Sequence, residues 1–234
     1  MVTELISRIR RAGERGVQSL LARLWTRRPQ LLTPSRIASA AEVAAWAREY
    51  LMEPHPQLGR RGPVCPFVQA AMNLDRVDIA FEDAVDGSSL RAIRGALLRH
   101  AYDFRRHHQG STPEDGFNSR IIVFPHLPPA EGRQLDEVHS ELKTKLMEQD
   151  MMVSAFHPLS EKPALGNSRF HVFRAPFAAF ALRRMDVRDI TFLGHNRRAF
   201  ARYRTRFGAA HAQGLVSDEY GYATAWREAL KRFG

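Results

Sequence analysis

Arg120 to Phe156 reads RIIVFPHLPPAEGRQLDEVHSELKTKLMEQDMMVSAF. The run 120–125, RIIVFP, is β-branched and aromatic and ends on proline, as a buried strand does. Leu135, Val138, Leu142 and Leu146 then recur at helical spacing, which predicts an amphipathic helix over 131–149. The run 151–156, MMVSAF, is again short, apolar and strand-like. A strand, a helix and a strand therefore follow one another within 40 residues, and the fold must contain a sheet covered by helices.

Working outward, residues 76–82, RVDIAFE, alternate polar and apolar and predict a half-buried strand. Leu90, Ile93, Leu97, Leu98 and Ala101 predict a helix over 88–106, and 107–118 reads as a polar loop. Upstream, Ser39 is placed to cap a helix that runs through Leu51, stopped by Pro54. A short helix is expected at 67–73. Downstream, 170–184 suggests one or two strands around Pro176, and helices are expected at 196–207 and 217–232. Two loops rich in proline and glycine stand out, 54–66 and 157–168, and each contains a His-Pro pair. The expectation is an α+β domain, a four- or five-stranded, largely antiparallel sheet covered by helices, with N- and C-terminal helical extensions. Its parts would be a basic helix and linker over 1–38, a core over 39–207 and an extension over 208–234.

Composition narrows the classes. The chain has 234 residues, 44% of them apolar and 26% charged, close to globular averages. A mainly disordered chain, a collagen and a coiled-coil rod are excluded. The single cysteine, Cys65, excludes an internal disulfide framework and a cysteine-rich zinc site. No apolar run approaches the length of a membrane span, so a cytoplasmic protein is expected. The net charge of +10 sits at the ends: residues 1–50 carry +5, residues 183–234 carry +6, and the middle is nearly balanced. Such ends attract anions, but no helix-turn-helix, zinc-finger or RNP signature accompanies them, and sequence-specific nucleic-acid binding is not expected. Residues 2–26 form a basic amphipathic pattern. It reads either as a helix docked on its own domain or as a peripheral membrane or protein contact.

The loop His55-Pro-Gln-Leu-Gly-Arg60-Arg61-Gly-Pro-Val-Cys65-Pro-Phe67 is the densest in special residues. Pro66 suits the first turn of a helix, which makes Cys65 its N-cap, beside Arg60 and Arg61. Cys65 reads either as a nucleophile or metal ligand there or as a small buried apolar residue. His55 and His157 are the candidate bases for a nucleophilic Cys65. His157 follows the MMVSAF strand and opens the second loop, near Asn167 and Arg169. His139 reads as solvated, on a polar helix face. Arg174 and Arg184 bracket a run of small and aromatic residues, and their forks match carboxylates.

The strings LGRRGPVCPFV, FHPLSEKPALGN and RAPFAAFALRRMDVRDITFL resemble an actinobacterial domain family of unknown function, over roughly residues 40–207. Its members are often encoded near specialised-metabolite genes. More distantly, the order of elements is similar to the YqcI/YcgG family, whose Pro-Cys element falls here on Val64-Cys65-Pro66. Several of those proteins are haem-dependent enzymes that oxygenate amino-acid nitrogen. The resemblance implies a haem-dependent oxygenase acting on an amino acid or small nitrogenous metabolite. Cys65, His157 and Arg60 would be catalytic; Arg61, Arg174, Arg184 and His55 would contact the cofactor; His157 or Cys65 would ligate the iron. The relatives' histidine-containing basic stretch reads Ala-Leu-Arg-Arg-Met-Asp-Val-Arg here, so another residue must bind iron if haem is bound. The alternatives are an accessory, partner-binding protein of a biosynthetic pathway and a cofactor-free enzyme with a cysteine nucleophile. A small-molecule substrate and a homodimer are the remaining partner expectations.

Overall fold

The computed structural model describes residues 34–108, 113–193, 195–218 and 220–234. The basic pattern at 2–26 and most of the expected linker lie outside them. Helix α1 (Pro34–Trp46) opens on proline, whose missing N–H costs nothing in a first turn. Ser39 is therefore inside the helix and not its cap. A π-helical turn, Ala47–Leu51, continues it. Helix α2 (Pro66–Asn73) has Cys65 at its N-cap, as the sequence predicts. Strand β1 (Val77–Phe81), helix α3 (Leu90–His107), strand β2 (Ser119–Val123), helix α4 (Arg133–Met147) and strand β3 (Met151–Phe156) then follow. The stretch 170–184 yields one strand, β4 (Ala179–Arg184), preceded by turns and bends. Helices α5 (Ile190–Leu193), α6 (Arg197–Ala212) and α7 (Tyr222–Phe233) close the chain. Helix α6 crosses 207–208 without a break.

The fold is α+β, with a four-stranded sheet in the order β1-β2-β4-β3. Strands β1 and β2 are parallel, while β4 pairs antiparallel with both β2 and β3. The crossover through α4 sets β3 one strand away from β2, and β4 fills the gap. Every pairing of β4 is thus long-range, and the sheet cannot close before the chain has passed residue 178.

The two faces of the sheet bury different helices. Ile79, Ile121, Val123, Phe156 and Ala179 pack against Val43, Ala44 and Ala47 of the first helical stretch and Phe67 and Ala71 of α2. Ile122, Val153, Phe180 and Leu182 pack against Ile93 and Leu97 of α3 and Leu135, Val138 and Leu142 of α4. The alternation follows from the two-residue period of a strand. A third cluster joins Met152 and Met185 to Phe200, Tyr203 and Ala229, so the C-terminal helix completes a core of its own. No helix among the described residues is long and apolar enough to cross a membrane.

Candidate functional site

The two proline- and glycine-rich loops meet. Gly59, at φ +77°, lies against Gly166, and a side chain at Gly59 would place its Cβ 2.6 Å from the Gly166 carbonyl oxygen. Only glycine meets both the left-handed φ and the close approach. Asn167 Nδ2 donates to the Gln57 carbonyl (2.8 Å) and Asn167 Oδ1 accepts from the Arg169 N–H (2.9 Å). His55 stacks on Phe170, with ring centroids 4.2 Å apart and planes within 10°. Its Nδ1 accepts from the Gln57 N–H at the start of a short 3-10 turn, Pro56–Leu58. His55 is thus a wall of the loop pair.

A groove opens where these loops meet the π-helical turn. It is open to solvent, has a volume of about 270 Å³ and is lined by Tyr50, Gln57, Arg169, Phe170, His171 and Arg174, of which Gln57 and the two arginines are exposed. π-Helical turns occur often at functional sites because they displace one side chain from the helical register. Here the displaced turn brings Tyr50 across to the loop, and its hydroxyl donates to the Val172 carbonyl at 2.9 Å. Burial raises the Tyr50 phenol above its ordinary range, so it stays a neutral donor. Arg174 Nε donates to the Ser160 carbonyl at 3.0 Å. Among the described residues neither Arg169 nor Arg174 is paired with a carboxylate. Two guanidinium charges therefore share one hollow with two aromatic rings, an arrangement suited to a small anion with a flat or apolar body.

The other expected site residues lie elsewhere. His157 is wholly buried, and its Nε2 lies 3.0 Å from Asp136 Oδ2 on α4. Asp136 Oδ1 is paired with Lys162 Nζ at 2.8 Å, and Lys162 Nζ donates to His139 Nδ1 at 3.1 Å. His139 Nε2 then donates to the Val153 carbonyl at 3.1 Å. His139 is thus engaged and partly buried, contrary to the solvated position its helix face suggested. Burial first, then Lys162 and Lys143, lower its pKa to about 4, so at neutral pH it is uncharged. Burial raises the Asp136 carboxyl, but the bonds from His157 and Lys162 outweigh it and hold it below the ordinary carboxylate range. The chain His157–Asp136–Lys162–His139 fastens the second loop to α4.

Cys65 lies on the other face of the sheet, packed against the cluster of α1 and α2. Arg183 lies within electrostatic reach of it, stacks on the Phe67 ring at 4.6 Å and forks onto Asp189 at 2.7 and 2.5 Å. Among the described residues no hydrogen bond joins a histidine to Cys65. Arg60 donates to the Arg61 and Val64 carbonyls, 3.0 Å each, and lies over the Tyr220 ring, so it braces its own loop. Arg61 is exposed. Arg184 ends β4 beside Arg206 of α6, five residues, about 17 Å along the strand, from Ala179.

These positions do not fit a haem. The Nε2 of His157 is held by Asp136, and its Nδ1 faces Gly132, where even an added Cβ would come within 2.5 Å. No edge of that imidazole has room for iron. Cys65 and His157 stand on opposite faces of the sheet, and Arg174 and Arg184 at opposite ends of it, so they do not surround one macrocycle. Nor do three or more His, Cys, Asp or Glu residues gather into a metal site among the described residues.

Residues 40–218 match the family model of a domain of unknown function, DUF6875. The chain belongs to this family. The match spans the sheet, both loops and the groove, and ends before α7. Comparison with the curated proteins and with the solved structures found no match.

Of the groove, the sequence pointed to Arg174 as an anion contact and to Arg169 as a neighbour of the His157 loop. It did not assemble Tyr50, Gln57, Phe170 and His171 with them. The signal available was the pair of His-Pro loops, whose matching glycines let their backbones dock.

Proposed function

We propose that this domain binds a small carboxylate-bearing metabolite in the groove between the two loops. One observation carries the reading: the guanidinium groups of Arg169 and Arg174 line a single groove with Tyr50 and Phe170, and among the described residues neither has a carboxylate partner. A guanidinium fork matches a carboxylate in two parallel hydrogen bonds, and such charge-assisted bonds are the stronger kind. Exposed arginines alone would be ordinary. These differ in that Tyr50–Val172, Asn167–Gln57 and the His55–Phe170 stack fix the walls around them. Fixed walls lower the ordering cost of binding. The volume of about 270 Å³ lies near the small end of ligand pockets, about 300–1,000 Å³, and fits a metabolite rather than a large cofactor. This reading keeps the small-molecule substrate expected from the sequence and routes nothing through haem.

The test is calorimetric titration of the full chain with 3-phenylpropionate at low salt. Arg169→Gln removes a guanidinium with no side-chain hydrogen bond or ion pair among the described residues, and Arg174→Gln one that also holds Ser160. Each is expected to weaken binding by about tenfold or more, the worth of one charge-assisted hydrogen bond. Absence of binding, or binding that neither variant alters, overturns the proposal.

A further inference from the structure

Resting on that reading, we infer that the groove selects a carboxylic acid without an ammonium group, an aryl, acyl or 2-oxo acid, over the α-amino acid of the same skeleton. The selectivity rests on an inventory of charge. An α-amino acid brings a carboxylate for the arginines and an ammonium that needs acceptors of its own. None of the six lining residues is acidic. Several carbonyls in and beside the groove already accept one hydrogen bond, and the acceptors left among the lining residues, the Gln57 side-chain oxygen among them, are neutral. The Gln57 carbonyl takes Asn167 Nδ2 at 2.8 Å, and that of Ser160 takes Arg174 Nε at 3.0 Å. The Val172 carbonyl takes the Tyr50 hydroxyl at 2.9 Å. Those of Phe170 and His171 take the Ala164 and Arg174 N–H groups, at 2.8 and 3.2 Å.

Charge points the same way. The ammonium of an amino acid lies two bonds from the carboxylate carbon. If the carboxylate sits on the arginine forks, the ammonium is held beside two guanidinium groups, with no carboxylate among the lining residues to offset the repulsion. A ligand whose α-position carries hydrogen, a ketone or an amide avoids that repulsion and leaves its apolar body to Tyr50 and Phe170. The site is therefore built for the deaminated or N-acylated form of an amino-acid skeleton, the product class of a transamination, deamination or N-acylation.

The experiment titrates the full chain in parallel with 3-phenylpropionate, L-phenylalanine and N-acetyl-L-phenylalanine at neutral pH. The first two differ only by the ammonium group, and the third masks it. The expected result is that 3-phenylpropionate binds at least about tenfold more tightly than L-phenylalanine, the worth of one unmade bond to a charged group. N-acetylation is expected to recover most of the loss. L-Phenylalanine binding as tightly as 3-phenylpropionate overturns this inference and leaves the anion site standing. If no compound binds, both readings fall.

Discussion

Replacing Asp136 tests the anchor that holds the second loop. Its Oδ2 is bonded to the wholly buried His157 and its Oδ1 to Lys162. In Asp136→Ala the buried imidazole loses its carboxylate acceptor, and a buried bond to a charged partner is worth about 1.5–3 kcal/mol. Asp136 and Lys162 are each about one-quarter exposed (26% and 28%), so their pairing adds at most about 1 kcal/mol. The expected loss is about 2–4 kcal/mol. For a chain of this size that lowers Tm by on the order of 10 °C. Asp136→Asn keeps an acceptor for His157 without the charge, and should lose about half as much. Thermal unfolding followed by circular dichroism reads both. The pH dependence has a fixed sign. The folded carboxyl is held below its unfolded value of 3.8. The stability it contributes is complete above that value and is lost as pH falls through the lower folded one. The gap between the wild type and Asp136→Asn should be constant from pH 7 to about pH 5 and narrow below about pH 4. A Tm for Asp136→Ala within about 1 °C of the wild type at pH 7, or a gap that widens in acid, refutes the anchor.

His139 should give the chain a second acid-labile step. Its folded pKa of about 4 lies below the unfolded 6.5, so its contribution is complete above about pH 6.5 and is lost as pH falls towards 4, by about 1–3 kcal/mol at this partial burial. His139→Gln keeps a donor for Val153 and an acceptor for Lys162, and urea denaturation at pH 7 and pH 5 should show a flatter dependence in the variant. Gly59→Ala should cost about 2–4 kcal/mol, since it adds a left-handed penalty to a collision with the Gly166 backbone. It should also weaken ligand binding by parting the loops. Gly214→Ala, with a similar φ of +68° and nothing within 4 Å, should cost only about 1 kcal/mol, and equal losses in the two variants would show that the loop contact is unimportant.

The elements were largely legible in the chain. MMVSAF is β3 residue for residue, because a short β-rich run between a helix end and a His-Pro turn has few other conformations. The stripe Leu135, Val138, Leu142 and Leu146 is the buried face of α4, because a 3.6-residue period exposes one side to one core. Pro66 and Cys65 marked the start of α2 by local chemistry alone. The α+β class followed from the pattern of elements in the same way.

Tertiary structure decided what local pattern does not encode. The slot between β2 and β3 is filled by β4, and strand order depends on pairings between residues 23 or more apart in sequence. His139 looked solvated because its own helix places it on a polar face; a lysine 23 residues later turns that face into a partly buried network. The sequence reading grouped Cys65 and His157 in one catalytic site, and the sheet puts them on opposite faces. The groove joins Tyr50 to the Val172 carbonyl across 122 positions. Burial, charge pairing and convergence are properties of neighbours in space, and a sequence states only neighbours along the chain.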